Sequence, residues 1–505
     1  MAETLYDIII IGGGINGAGI AADAAGRGLS VALLEAEDLA SGTSAWSSKL
    51  IHGGLRYLEY YEFRLVREAL AEREVLLRMA PHLVTPLRFR MPHHQGLRPA
   101  WMIQAGLFLY DHLSKRVSLP ASRRFRFGQD SVLKPEYTQG FEYSDCRVDD
   151  ARLVVMNAKL AQRKGASILT RHRVIGAERK SGLWHVQVHN NSGDELQLQG
   201  KALINAAGPW VRSVLDSVKQ SQTRKGVRLV KGSHVVVPRL HEGPEAYILQ
   251  HTDGRIVFVI PYLNTYSLIG TTDVDYTGEP RDACIDEDEI AYLLQLVNSY
   301  FQRQLSPENI VWSFSGVRPL MQGEQAGQVA AKVTRDYQFE LEQDQGEAPL
   351  LSIFGGKLTT YRKLAESALE KLKPFLPQMG KPWTETTQLP GGESMASLSD
   401  YIRELGQKYP FLSTADQERI ASTYGREAER WLQSATSLED LGPALGALYA
   451  REIDYLVAEE WAQTLEDILW RRTKTGIGMT DSDRQALETY LQRNQKSSSQ
   501  QISAK

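Results

Sequence analysis

A short run of glycines near the start of the chain has the spacing of a dinucleotide-binding turn. Gly12, Gly14 and Gly17 follow the pattern G-x-G-x-x-G, directly after an apolar run and directly before an alanine-rich segment. Glycines at this spacing let the backbone approach a pyrophosphate, and the following helix offers amide donors and its positive dipole end. Glu35 ends the next apolar run, where an acid can accept hydrogen bonds from ribose hydroxyls. The pattern predicts a dinucleotide site, but its spacing does not separate FAD from NAD(P).

A second segment, residues 43–57, concentrates hydroxyl, glycine and charged or titratable side chains within fifteen positions. Lys49, His52 and Arg56 are its cationic or titratable members, and two glycines follow the histidine. Histidine is the usual general base near neutral pH. The segment therefore indicates a site for proton transfer close to the predicted dinucleotide.

Together these motifs resemble the membrane-associated, FAD-dependent glycerol-3-phosphate dehydrogenases, the aerobic enzymes that pass electrons to quinone. Further matching stretches follow in order along the chain. They are Asp149-Asp150-Ala151-Arg152, Ala207-Gly208-Pro209-Trp210, Lys231-Gly232-Ser233-His234, Gly270-Thr271-Thr272-Asp273, Gly316-Val317-Arg318-Pro319 and Gly355-Gly356-Lys357-Leu358-Thr359-Thr360-Tyr361-Arg362. The resemblance implies FAD as the cofactor, sn-glycerol 3-phosphate as the substrate and dihydroxyacetone phosphate as the product. It also implies hydride transfer to flavin N5 and a membrane quinone as the final electron acceptor.

The resemblance also implies roles for individual residues. A phosphorylated alcohol needs a clamp for its dianion, and the planar fork of arginine matches phosphate oxygens. The candidates for this clamp are Arg56, Arg318 and Arg335, with the Tyr57 hydroxyl as a further donor. His52 is the first candidate for the base that accepts the hydroxyl proton, and His234 is the second.

Lys357 is the candidate for stabilising negative charge on a reduced flavin. Two glycines precede it and a predicted helix start follows, so a cation and backbone amides come from one place. The remaining candidate FAD-binding residues are Gly12, Gly14, Gly17, Glu35, Thr43, Ser44, Ser48, Lys49, Gly53, Gly208, Gly356, Leu358 and Thr359.

The apolar patterns place these residues on an α/β fold. A strand at 6–11, a helix at about 16–27 and a strand at 30–35 form one β-α-β unit, and short alternating runs between 224 and 316 indicate an antiparallel sheet with one solvated face. We predict a discontinuous FAD-binding, Rossmann-like domain of the glutathione-reductase type (1–85, 145–223 and 330–388) and an antiparallel-sheet substrate domain (86–144 and 224–329). A linker at 389–392 precedes a helical C-terminal domain (389–495), which includes one amphipathic helix over 451–473, and a disordered tail (496–505).

The amino-acid composition limits both the class of protein and the cellular compartment that we expect. The 505 residues carry 58 Lys and Arg against 61 Asp and Glu, a net charge of −3 that predicts no general attraction to nucleic acid. Two cysteines are too few for a disulfide framework, a zinc site or an iron–sulfur site, so no metal is expected and the cytoplasm is the default. We find no apolar stretch long enough for a membrane span.

One local basic stretch stands out against this balance. Residues 88–126 carry eight Lys and Arg and one acid, a net of +7, interleaved with aliphatic and aromatic residues. Such a stretch suits an anionic lipid surface, although a solvated basic face over ordinary core residues has the same pattern. With the resemblance, it favours peripheral attachment to the inner face of the cell membrane. Similar enzymes also suggest a homodimer.

Three alternatives stay open at this point. An oxidase with the same fold and substrate would pass its electrons to dioxygen and form hydrogen peroxide. A flavin-dependent RNA-modifying protein would use the basic stretch as its footprint, but the overall charge argues against this. An amino-acid-oxidising relative would need one carboxylate clamp, whereas three candidate arginines suit a phosphate dianion better.

Overall fold

The computed structural model describes residues 4–223, 226–251, 254–321, 336–343 and 346–503. Its strands are β1 Leu5–Ile11, β2 Val31–Glu35, β3 Leu50–Ile51, β4 Val84–His93, β5 Arg123–Arg126, β6 Gln139–Val148, β7 Ser167–Thr170, β8 His172–Lys180, β9 Leu183–Asn190, β10 Glu195–Asn205, β11 Val227–Pro238, β12 Ala246–Gln250, β13 Ile256–Tyr262, β14 Tyr266–Gly270, β15 Val274–Tyr276, β16 Trp312–Met321, β17 Gln338–Glu342, β18 Leu350–Phe354, β19 Ala444–Leu445 and β20 Leu448–Tyr449. Its α-helices are α1 Ile15–Gly26, α2 Phe63–Met79, α3 Ala100–His112, α4 Asp150–Arg163, α5 Val211–Ser217, α6 Glu287–Tyr300, α7 Tyr361–Leu372, α8 Leu398–Lys408, α9 Thr414–Tyr424, α10 Glu429–Leu432, α11 Ala450–Glu459 and α12 Asp481–Ser503.

The first sheet carries the predicted β-α-β unit. Strands β18, β10, β1, β2 and β7 run parallel in that order, and β17 joins the β18 edge antiparallel. The centre of β1 is buried and apolar on both faces, as expected for a parallel strand that is covered on both sides. Helices α1, α4 and α7 pack on one face, while α5 and the β8–β9 hairpin cover the other. This arrangement confirms the prediction of an α/β, Rossmann-like core.

The second sheet has ten strands and is mostly antiparallel, as predicted. The expected solvated face is wrong, because β11 to β14 are buried almost continuously along their length. Helices α2 and α3 lie on one side of the sheet and α6 lies on the other, so both faces are covered. Strand β3 and the start of β4 belong to this sheet although they fall within the first predicted segment of the FAD-binding domain.

The C-terminal region forms its own helical core, as predicted. The presumed linker at 389–392 is buried rather than exposed, since Leu389 bonds to the backbone of Met79. The single helix expected over 451–473 is wrong: α11 ends at Glu459, and a separate π-helix spans Asp467–Arg472. Glu460, the residue that follows α11, has its carboxylate buried in an ion pair with Arg152 of α4.

The last helix extends beyond the expected end of the ordered chain. The segment predicted as a disordered tail at 496–505 lies within α12 as far as Ser503. This stretch contains no glycine or proline to stop a helix. None of the helices in the described ranges combines the length and apolar character needed to cross a bilayer.

Candidate active site

A cavity of about 450 Å³ brings most of the predicted site residues together. Its wall is built from the turn after β1, the end of β2, the segment 41–52, strands of the second sheet and the turn before α7. The predicted residues that line it are Gly12, Gly14, Glu35, Thr43, Ser44, Ser48, His52, Tyr57, Gly208, His234, Arg318, Gly356, Lys357, Leu358 and Thr359. Fifteen predicted residues from seven separate stretches of sequence therefore share one cavity.

The wall at the start of α1 is shaped for a pyrophosphate. Helix α1 begins directly after Gly14 and its first turn holds no acidic residue, while the Ser44 hydroxyl accepts a hydrogen bond from the Ile15 amide at 3.0 Å. Gly12 has a φ of 114°, and a Cβ there would lie 2.6 Å from the Ala206 carbonyl oxygen. Gly208, in the left-handed region, has no atom within 4 Å of where its Cβ would stand. These glycines leave an open cradle that fits a dinucleotide such as FAD.

Glu35 lies at the position expected for a ribose-binding acid. Its carboxylate accepts hydrogen bonds from the backbone amides of Gly13 at 2.7 Å and Glu37 at 2.8 Å. Burial raises its pKa above the usual range, while the two amide bonds favour the charged form. A carboxylate held in this way keeps further lone pairs that can accept hydrogen bonds from hydroxyl groups.

His234 is held firmly on the other side of the cavity. Its Nε2 lies 2.9 Å from Ser48 Oγ, and its ring stacks on Phe314 with centroids 4.8 Å apart. The stack continues through Trp312 to Trp470 of the C-terminal domain. Burial, followed by the positive charges of Lys49 and Arg318, lowers the pKa of His234 well below its usual value. The imidazole is therefore neutral at neutral pH.

Two cations also line this part of the cavity. Arg318 donates from Nη2 to the Thr272 carbonyl oxygen at 3.0 Å and pairs with Asp273 at 2.7 Å. Lys357 Nζ lies 4.0 Å from the centre of the Tyr57 ring, which is within cation–π range. Positive charge is thus held on the wall by an acid on one side and an aromatic face on the other.

His52 is tied to the helix start that carries Lys357. Its backbone amide donates to Thr359 Oγ1 at 3.2 Å, and Thr359 belongs to the short 3₁₀ helix Leu358–Thr360 that leads into α7. The histidine that follows β3 and the glycine-rich turn after β18 are therefore fixed relative to each other.

Four predicted residues that the structure describes are not among those that line the cavity, and a fifth lies outside the described residues. Lys49 pairs with Asp150 at 2.9 Å and so anchors its segment to α4. Gly17 and Gly53 allow close packing, since a Cβ at Gly17 would lie 1.9 Å from the Gly12 carbonyl oxygen and one at Gly53 would lie 2.5 Å from a Leu70 methyl. Arg56 lies on the short helix Leu55–Tyr60, one residue before Tyr57. Arg335 lies outside the described residues.

Several residues of the wall were not predicted from the sequence. Asn16 reaches across to the Gly355 carbonyl oxygen at 3.2 Å, and Arg281 lies over the Trp210 ring near Glu37. Asn16 stands inside the glycine motif and could have been chosen on that ground. Arg281 comes from a loop of the second sheet with no local signal, so only its tertiary placement reveals it.

Comparison with known families gives two matches that together span most of the chain. Residues 7–362 match the FAD dependent oxidoreductase family, and residues 382–497 match the C-terminal domain of alpha-glycerophosphate oxidase. The first match contains every described residue of the cavity wall.

The relatives agree with these matches over nearly their full length. The chain is 56% identical to a glycerol-3-phosphate dehydrogenase of Pseudomonas aeruginosa, over 97% of this chain and 95% of that protein. It is 55% identical to the aerobic glycerol-3-phosphate dehydrogenase of Escherichia coli (96% and 97%) and 49% identical to a D-erythritol 1-phosphate dehydrogenase of Brucella abortus (96% and 97%). Among solved structures it is similar to a glycerol-3-phosphate dehydrogenase from Bacillus halodurans complexed with FAD, with a TM-score of 0.72 and 26% identity over 97% of this chain and 95% of that one.

Proposed function

The chain belongs to the FAD-dependent oxidoreductases, and within them to the glycerol-3-phosphate dehydrogenases, and on this premise we propose that it oxidises sn-glycerol 3-phosphate to dihydroxyacetone phosphate and passes the electrons to a membrane quinone. One observation carries the proposal. A glycine cradle for a dinucleotide, two histidines and two cations line the same cavity.

The phosphate of the substrate binds to Arg318 in this proposal. Arginine offers two parallel N–H donors to a phosphate, and the guanidinium is already oriented by Thr272 and Asp273. Tyr57 adds a hydroxyl from the facing wall. Arg56 and Arg335 stay proposed as further clamp residues on the resemblance alone.

His52 accepts the proton of the C2 hydroxyl. A general base works best when its pKa lies near the working pH, and the strongly lowered pKa makes His234 a weak acceptor. The neutral His234 instead offers a hydrogen-bonding nitrogen whose orientation is set by Ser48 and the Phe314 ring. The two histidines thus divide proton transfer and positioning between them.

When bound, FAD would supply the two-electron chemistry by taking a hydride from the substrate, at N5 in this proposal. Gly12, Gly14, Glu35 and Gly208 hold its nucleotide part. Lys357 and the amides at the start of the Leu358–Thr360 helix present positive charge where the reduced ring would carry negative charge. Lys357 and these amides would thus provide a fixed positive electrostatic potential, and they would not transfer a proton.

Helix α3 supports attachment to a lipid surface. Its side chains Trp101 and Phe108 are 66% and 61% exposed, and Met102 and Leu109 are also exposed. The basic stretch around it is less charged than the sequence suggested, because Glu142 pairs with Arg88, Arg90 and Arg123. Exposed aromatic and aliphatic side chains with a few remaining cations are typical of an interfacial helix. These side chains support the proposal that the protein attaches peripherally to the inner face of the cell membrane, and a homodimer stays a prediction.

The test is anaerobic bleaching of the flavin. The purified protein should be yellow, and glycerol 3-phosphate should bleach it rapidly while glycerol should not. A yellow protein that does not respond to glycerol 3-phosphate would overturn the proposal. D-erythritol 1-phosphate belongs in the same experiment, because a relative at 49% identity carries that name.

A second measurement separates the dehydrogenase from the oxidase that shares its fold. The reduced protein is mixed either with a quinone analogue or with dioxygen, and peroxide is measured. We expect fast reoxidation by the quinone analogue and slow peroxide formation. Fast, stoichiometric peroxide would identify an oxidase instead.

A further inference from the structure

Glu289, in the first turn of α6, is a buried acid outside the stretches that resemble the family motifs, and it forms the capping box of its helix with Asp286. Its side chain is 4% exposed, although it lies on a helix whose neighbouring acids Glu287 and Asp288 are exposed. A buried carboxylate is costly unless donors surround it. The hydrogen-bond partners of Glu289 therefore indicate its structural role.

Three side chains and the backbone amide of Asp286 donate to this carboxylate. Lys231 Nζ lies 2.8 Å away, Ser233 Oγ donates at 2.9 Å and Thr272 Oγ1 donates at 2.5 Å. Burial lowers the pKa of Lys231, but its bonds to Glu289 and Asp286 outweigh this and raise the pKa above the usual value. The lysine therefore stays charged and bound to the carboxylate.

Each of the three residues whose side chains contact Glu289 is next in sequence to a residue of the cavity wall. Gly232 lies between Lys231 and Ser233, His234 follows Ser233, and Thr271 precedes Thr272. Two stretches that resemble the family motifs, 231–234 and 270–273, are thus joined from behind by one side chain. The joint itself is tight, since the Ser233 amide also donates to Thr272 Oγ1 at 2.9 Å.

The connection continues to the phosphate clamp. The carbonyl oxygen of Thr272 accepts the hydrogen bond from Arg318 Nη2. The guanidinium packs closely against the strand, because a Cβ at Gly232 would lie 2.3 Å from the same Arg318 nitrogen. A small displacement of Thr272 would therefore turn the guanidinium away from its present direction.

We infer that Glu289 is a positioning residue that sets the direction of Arg318 through Thr272, an inference that rests on the proposed function. The carboxylate fixes the Thr272 hydroxyl, the Thr272 carbonyl fixes the guanidinium, and Ser233 fixes the strand position next to His234. This linkage controls the affinity for the substrate and not the turnover rate of the enzyme–substrate complex.

The experiment compares Glu289→Gln with Glu287→Gln, the same chemical change at an exposed position two residues away. We expect Glu289→Gln to raise KM for glycerol 3-phosphate about tenfold, equivalent to about 1.4 kcal/mol, with kcat within twofold of the parent. Calorimetric titration of the oxidised protein with dihydroxyacetone phosphate, which it cannot turn over, should show the same tenfold loss of affinity. Glu287→Gln should match the parent in both measurements.

Thr272→Val provides the second variant. It removes the hydroxyl that bonds to Glu289 but leaves the Glu289–Lys231 pair in place, so it tests the same linkage with less risk to folding. It should raise KM and weaken product binding without lowering flavin content. An unchanged KM in both Glu289→Gln and Thr272→Val, or a fall in kcat and flavin content alone, would overturn the inference. A parent protein that fails to respond to glycerol 3-phosphate would instead overturn the proposed function.

Discussion

Arg318→Met is the sharpest test of the phosphate clamp. A charge-assisted hydrogen bond contributes about 1.5–3 kcal/mol, and a guanidinium can make two of them to a phosphate. The Arg318 side chain is 27% exposed, so solvent screening puts the sum near its lower limit, about 3 kcal/mol. This corresponds to a loss of about 150-fold in kcat/KM for glycerol 3-phosphate.

The Asp273 carboxylate should add to this loss. It lies 2.7 Å from the guanidinium, so removing the arginine takes away a positive charge that offsets this carboxylate beside the incoming phosphate. The double variant Arg318→Met/Asp273→Asn should therefore recover about tenfold of the lost activity.

The assay is stopped-flow bleaching of the flavin under anaerobic conditions, with glycerol as a substrate that lacks the phosphate. Arg318→Met should leave the slow reaction with glycerol unchanged. An equal loss with both substrates, or no loss with glycerol 3-phosphate, would refute the clamp.

Three further outcomes are expected. His52→Ala should slow flavin reduction by about 100-fold while the protein stays yellow, because it removes a proton acceptor and leaves the nucleotide cradle intact, and loss of flavin would instead mark a structural role. Trp101→Ser combined with Phe108→Ser should reduce binding to anionic vesicles in a flotation assay, whereas Leu438→Ser, an exposed leucine of the C-terminal domain, should not. His82 has its pKa lowered from 6.5 to about 3, first by burial and then by Arg152, so the unfolded chain binds a proton below pH 6.5 that the folded chain does not. Stability is then lost as pH falls, by about 2 kcal/mol between pH 7.5 and 5.0, and urea unfolding of His82→Leu should show a smaller pH dependence by that amount.

Local sequence patterns were enough to predict the Rossmann-like core. The β-α-β unit follows from an apolar run, a glycine turn and an alanine-rich helix, all of which act over a few neighbouring residues. The same is true of Glu35, whose position at the end of β2 is set by strand length alone. The antiparallel character of the second sheet was visible in its alternating runs, but its second covered face was not, because α2 and α3 come from a distant part of the chain.

The residues that hold the site rigid were decided by tertiary structure. Lys49 stands in the middle of a motif yet pairs with Asp150 behind the wall, and Glu289 belongs to no motif yet joins two of them. The same holds for the row of ring contacts from Trp470 to His234 and for the buried ion pair of Glu460 with Arg152 at the end of α11. Periodicity and spacing record only what a residue's neighbours along the chain require. A buried charge is placed by the partner that compensates it, and that partner is chosen only when the chain has folded.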